Sequence, residues 1–173
     1  MGKLKSVLFT MLFGLGLLSA SFGQEVNYRF HKVFFYSFTK YVQWPANYSE
    51  GDFIIGVFGE SDITPLLKEM AEIKKVGSSK IVVKTISANN LTEKFNMLFV
   101  PHDQITQFEL IKNGLNNKPT LLITETANMA SKGSMINFKD VSGKLRFEVN
   151  TTLITEKGLK VSQELVRFGE EIK

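Results

Sequence analysis

Two histidines, His31 and His102, are the only imidazoles in the sequence, and neither stands at metal-binding spacing from a carboxylate or from the other. A metal site is therefore not expected. His102 follows Pro101 directly after the apolar run Asn96 to Val100, and the carboxyl end of a strand is where open α/β sheets receive ligands. His102 is accordingly a candidate ligand or partner contact, weighed against the plainer reading of a loop residue near a helix start. Gly56-Val57-Phe58-Gly59-Glu60-Ser61 has glycines that could present backbone N–H groups to an anion. It lacks the full dinucleotide fingerprint and a P-loop lysine, so it reads as a tight strand-to-helix turn. Ser131-Lys132-Gly133-Ser134 sets a lysine beside a serine, without the spacing of a serine–lysine pair or a nucleophile elbow, and a glycine turn before a strand accounts for it. The chain has no cysteine, which removes thiol nucleophiles, iron–sulfur clusters and Cys-ligated zinc. No catalytic residue and no cofactor are expected.

The remaining candidates are contact residues. Tyr41 and Trp44 close the first predicted helix, where a partner or ligand can stack on a half-exposed ring. Arg146 and Glu148, two apart on one strand face, are placed to pair with each other or to reach Asn137 across a hairpin; contact with a partner protein is the alternative use of that face. Phenylalanine is frequent, at 15 of 173 residues, and the spacing sends most of these rings to buried faces.

The elements that must position these residues follow from periodicity. Residues 26 to 43 predict a helix with Val26, Phe30, Val33, Phe34, Ser37, Phe38, Tyr41 and Val42 on its core stripe, His31 in its polar entry, and an end at Trp44-Pro45. Phe53 to Phe58 is a continuous apolar run of strand length, and Ser61 or Asp62 caps a helix from Ile63 to Ile73. Lys80 to Ile86, Asn96 to Val100 and Pro119 to Thr124 read as further strands, with a helix over Gln104 to Leu115 between the last two. Ser134 to Lys139 and Lys144 to Asn150 form a hairpin about Asp140-Val141-Ser142-Gly143. Thr151 to Glu156 leads to Gly158, and a final helix spans Ser162 to Ile172 with Ser162 as its cap. The expected class is α/β, a single domain with a mainly parallel sheet flanked by helices and an antiparallel hairpin near the C-terminus.

The first 23 residues have the pattern of an export signal. Lys3 and Lys5 precede the apolar run Val7 to Leu18, and Ser21 and Gly23 supply the small residues before a cut after Gly23. The run is short of the roughly 20 apolar residues that span a bilayer and carries Thr10, Gly14 and Gly16. The expected mature chain, residues 24 to 173, is one domain in size and belongs in the periplasm or outside the cell. Loss of Lys3 and Lys5 lowers its formal net charge from +4 to +2, too small a basic excess to point to nucleic acid.

Several separated stretches resemble the YfiR family of bacterial periplasmic regulators. They are Lys32 to Pro45 (KVFFYSFTKYVQWP), the strand Ile54 to Gly59, Gly133 to Phe138 (GSMINF), Gly143 to Asn150 (GKLRFEVN) and Gly158 to Val166 (GLKVSQELV). Their order and spacing match over nearly all of residues 28 to 170, and the F-x-K-Y-V-x-W-P and G-x-M-I-N-F…G-K-x-R-F-E-x-N pair is the specific part. The resemblance implies a non-enzymatic periplasmic α/β domain. The family's best-known member restrains a membrane-bound diguanylate cyclase by binding its periplasmic part, which lowers cyclic di-GMP output. Regulatory members can carry cysteine pairs that couple activity to redox state, and a chain without cysteine cannot. The expected partner is thus a membrane-bound signalling protein, a diguanylate cyclase or a sensor kinase. A homodimer through the first helix is a further expectation. The competing reading is a periplasmic small-ligand binder that uses the strand ends near Gly59-Glu60 and Pro101-His102.

Overall fold

The computed structural model describes residues 28–172, so the expected export signal, its cut after Gly23 and Val26 lie outside the described residues. Helix α1 (Arg29–Tyr41) is followed by β1 (Val42–Gln43), a short α2 (Ala46–Ser49), β2 (Phe53–Phe58), α3 (Ile63–Ile73), β3 (Lys75–Val76) and β4 (Ser79–Ile86). Then come β5 (Met97–Val100), α4 (Phe108–Gly114), β6 (Leu121–Thr124), α5 (Met129–Lys132), β7 (Ile136–Val141) and β8 (Lys144–Asn150). The chain closes with α6 (Thr151–Glu156), β9 (Lys160–Val161), α7 (Gln163–Phe168) and β10 (Glu170–Ile172). Among the described residues no helix is long and apolar enough to cross a membrane.

Eight strands form one sheet in the order β10-β8-β7-β6-β5-β2-β4-β3, among the described residues. The strands from β4 to β7 through β2, β5 and β6 are parallel neighbours, β8 is antiparallel to β7, and β10 is parallel to β8. The class is the expected one. The middle strands are apolar on both sides because both faces are covered. Met97 and Phe99 of β5, with Leu121 and Ile123 of β6, pack under α1 and α3, whereas Leu98, Val100 and Leu122 pack under α4. The β7–β8 hairpin turns at Ser142 and Gly143, both with positive φ as a type I′ turn requires.

Four expectations are corrected. First, α1 is shorter than residues 26 to 43, and its buried line is His31, Phe35, Phe38 and Thr39, while Phe30 is 64% and Val33 60% exposed. Residues 33 to 36 are Val-Phe-Phe-Tyr, so a helical stripe can be drawn through more than one side. The sheet selects the side that carries Phe35. Second, His31 is not in a polar entry; it is 4% exposed, held edge-on between the rings of Tyr28 and Phe138. Third, Gln104 to Leu115 is not one helix, since residues His102–Gln107 wind as 3₁₀ before α4 begins. Fourth, the final helix stops at Phe168 and Glu170–Ile172 joins the sheet. A Cβ on Gly169 would lie 2.6 Å from Cε2 of Phe147, and that close approach lets the chain leave the helix and run beside Glu148 to Asn150.

Candidate functional site

The chain steps from β2 out to β4 and then back across β2 to β5, so a topological switch point lies between β2 and β5. Ligands of open α/β sheets enter at such a crevice, outside the carboxyl ends of the strands. Here that rim carries His102 after β5 and Glu125 after β6. The Glu125 side chain is only 6% exposed. It accepts a hydrogen bond from the Tyr28 hydroxyl at 2.7 Å and another from the His102 backbone N–H at 3.0 Å, and His31 Nε2 stands 3.6 Å from its second oxygen. Tyr28 and His31 come from the start of α1, so one carboxyl fastens that helix to two strand ends. His102 Nδ1 lies 3.0 Å from the Thr126 hydroxyl. The Gly59 N–H, at the turn after β2, is donated to the Ile86 carbonyl at 2.9 Å, which takes it out of any anion cradle.

Burial pushes the Glu125 carboxyl above its ordinary range, with Asp103 adding to the rise and the bonds from Tyr28 and His102 opposing it. The Tyr28 hydroxyl is raised as well, by burial and by the Glu125 charge, and remains a donor. A carboxyl whose native value is raised contributes stability fully below its unfolded value and loses it as pH rises through the native one. Glu125→Gln keeps the acceptor and removes the charge. The midpoint of E125Q minus that of the parent should therefore grow as pH is raised from about 4 to about 8, read by thermal melts. A difference that stays constant across that range would contradict the assignment.

A second feature lies at the other end of α1. Strand β10 runs beside only Glu148 to Asn150 of β8, so among the described residues Lys144 to Phe147 pair with β7 alone. Next to this open edge is a groove of about 350 Å³ lined by Phe34, Ser37 and Tyr41 of α1, Leu145 to Phe147 of β8, and Leu165 and Phe168 of α7. Phe168 is 62% exposed, with its ring 6.2 Å from that of Tyr41. Two aromatic walls, an apolar floor and the exposed Arg146 at the lip suit an apolar segment of another molecule.

Tyr41 and Arg146 are thus brought together, and the other candidates are not. Trp44 donates its indole N–H to the Asn96 carbonyl at 2.9 Å and sets its ring edge-on to Phe53. His102 belongs to the strand-end rim. Glu148 accepts from Asn137 Nδ2 at 2.9 Å and pairs with Lys139 at 3.4 Å, so the alternative of an Arg146–Glu148 ion pair is not formed. Arg146 faces Lys139 in the ladder, and Glu148 takes that lysine. Sequence reasoning missed Glu125, Phe34 and Phe168 as site residues. Glu125 was accessible by the argument that found His102, since both follow a buried parallel strand.

A family profile described as YfiR/HmsC-like matches residues 28–170. No curated protein matches the chain. Among solved structures, the ABC domain in complex with L-Trp from Streptococcus pneumoniae superposes with a TM-score of 0.53 at 12% identity, over 70% of this chain and 55% of that one. A conserved domain protein from Vibrio cholerae gives 0.53 at 13% identity, over 69% and 54%. At such identities the likeness is one of fold, and the chain spans little more than half the length of each.

Proposed function

Because the chain belongs to the YfiR/HmsC-like family, which supports a periplasmic regulatory role in general, we propose that it is a non-enzymatic regulator that binds the extracytoplasmic part of a membrane signalling protein. By the resemblance that partner is a diguanylate cyclase, which the bound regulator represses; a sensor kinase is the other member of the class. Residues 1–23 serve as the export signal in this reading, with the cut after Gly23.

The observation that carries the proposal is the groove between α1, the open edge of β8 and α7. It exposes Phe168 beside Tyr41, on a surface that an isolated domain gains nothing by leaving wet. An extended apolar segment laid there can bond the free backbone edge of Lys144 to Phe147 and seat side chains between the two walls. A small ligand at the strand ends has less support, because the buried carboxylate of that rim is already held by Tyr28 and His102.

Affinity capture from solubilised membranes, followed by mass spectrometry and by cyclic di-GMP measurement in cells, tests this. A membrane cyclase or sensor kinase should be recovered, and Phe168→Glu should reduce recovery about tenfold or more while leaving the thermal midpoint nearly unchanged, since Phe168 is exposed. Where the partner is a cyclase, F168E should also restore cyclic di-GMP output. Recovery of the protein alone, with membrane complexes intact, would refute partner binding, and undiminished recovery with F168E would refute the groove.

A further inference from the structure

Away from that groove, the end of α4 and the loop after it, strand β6, the segment just before β7 and helix α6 enclose a notch of about 240 Å³. Its floor is apolar, made by Leu115, Leu122, Met135 and Leu153, and three lysines stand around it, Lys112, Lys118 and Lys157. Their ammonium groups are unevenly satisfied. Lys112 Nζ is paired with Glu109 at 2.8 Å. Lys118 Nζ is held by the Leu91 and Glu93 carbonyls at 2.7 and 3.3 Å, and Lys157 Nζ has the Asn116 side-chain oxygen at 3.5 Å. Among the described residues neither Lys118 nor Lys157 is paired with a carboxylate.

We propose that this notch is a binding site for a small amphiphilic monocarboxylate, with its hydrocarbon body on the Leu115–Leu122–Met135–Leu153 floor and its carboxylate among Lys118 and Lys157. Two ammonium groups without a carboxylate partner, Lys118 and Lys157, beside a concave apolar surface raise the local concentration of anions and disfavour cations, while the charge of Lys112 is offset by Glu109. An apolar floor distinguishes the ligand from inorganic phosphate or a bare sugar acid, neither of which would displace water from four hydrocarbon side chains. The volume lies just below the roughly 300 Å³ at which drug-sized clefts begin, so a medium-chain fatty acid or an aryl carboxylate is the size that fits. The notch lies apart from the α1–α7 groove and shares no lining residue with it, so the inference is independent of the proposed partner.

Octanoate is the probe, titrated into isotopically labelled protein and followed by amide chemical shifts. Shifts should concentrate at residues 112–118 and 153–157, binding should weaken with added salt, and octanol and inorganic phosphate should each bind much more weakly. Lys157→Glu should weaken octanoate about tenfold without altering the thermal midpoint of the free protein. Leu153→Gln, which keeps every lysine, should weaken it as well. Absence of saturable shifts, shifts centred on Phe34, Tyr41 and Phe168 instead, equal binding of octanol, or an unchanged affinity in K157E would each overturn the assignment.

Discussion

Phe138→Ala is expected to lower the stability of the protein by about 3–5 kcal/mol, the range for emptying a buried aromatic site that cannot collapse. Phe138 is buried on β7, and its ring meets His31 at 4.6 Å, Phe38 at 5.8 Å, Phe34 at 5.9 Å, Phe35 at 6.1 Å and Phe147 at 6.4 Å. These neighbours come from α1 and β8. The ring is therefore where the first helix, the parallel half of the sheet and the terminal hairpin meet, and no neighbour can fill the space without leaving its own contacts. Urea titration should show the midpoint falling by roughly 1–3 M with the slope unchanged. Phe168→Ala, at an exposed ring, should stay within about 0.5 kcal/mol of the parent. A loss below about 1 kcal/mol in Phe138→Ala would mean that the aromatic cluster is not the centre of the core. Phe38→Ala combined with Phe138→Ala should depart from additivity, because the two rings share one space.

The same cluster explains what the sequence could and could not convey. Phe53–Phe58, Ile63–Ile73 and Lys144–Asn150 form elements at the bounds their patterns predict, since each run is bracketed by turn residues, the first has the length of a strand and the other two have a single compatible period. In α1 the aromatic residues fall on nearly every side, and period alone leaves the buried side undecided. Glu170-Glu171-Ile172 carries no strand signature at all. It pairs because Gly169 brings the backbone against Phe147 and Val149, a tertiary override of local preference. The groove shows the same division. Tyr41 and Arg146 are nameable from their positions on a helix end and on a strand face. That they share one cavity depends on where α7 stops, and Phe168 enters the site because the expected final helix is cut short.

Asn96→Ala should cost about 2–6 kcal/mol, from a residue that contributes no apolar contact of note. Asn96 is buried immediately before β5. Its side-chain oxygen accepts the Ile54 N–H at 2.8 Å, and its amide nitrogen donates to the Tyr48 carbonyl at 2.7 Å. Its own carbonyl accepts both the Trp44 indole N–H and the Leu121 N–H at 2.9 Å. Alanine leaves the last two bonds in place but strips the Ile54 donor and the Tyr48 acceptor of their partners, and buried backbone groups left unpaired cost about 1–3 kcal/mol each. Asn96→Asp can replace the first bond and not the second, and it sets a buried carboxylate against the Tyr48 carbonyl, so it should cost at least as much as Asn96→Ala. Trp44 is the only tryptophan in the sequence, and its emission reports directly on the corner that Asn96 braces. The native spectrum of N96A should shift to the red as the indole loses its fixed packing against Phe53. A stability loss under about 0.5 kcal/mol together with an unchanged spectrum would show that water replaces the side chain at no cost. Trp44 follows Tyr41 by three residues, and β1 between them is fixed by its pairing to Val161 and Lys160 just before α7. Loosening this corner should therefore also weaken the partner binding assigned to the groove, through the placement of Tyr41 relative to Phe168 and without altering any groove residue.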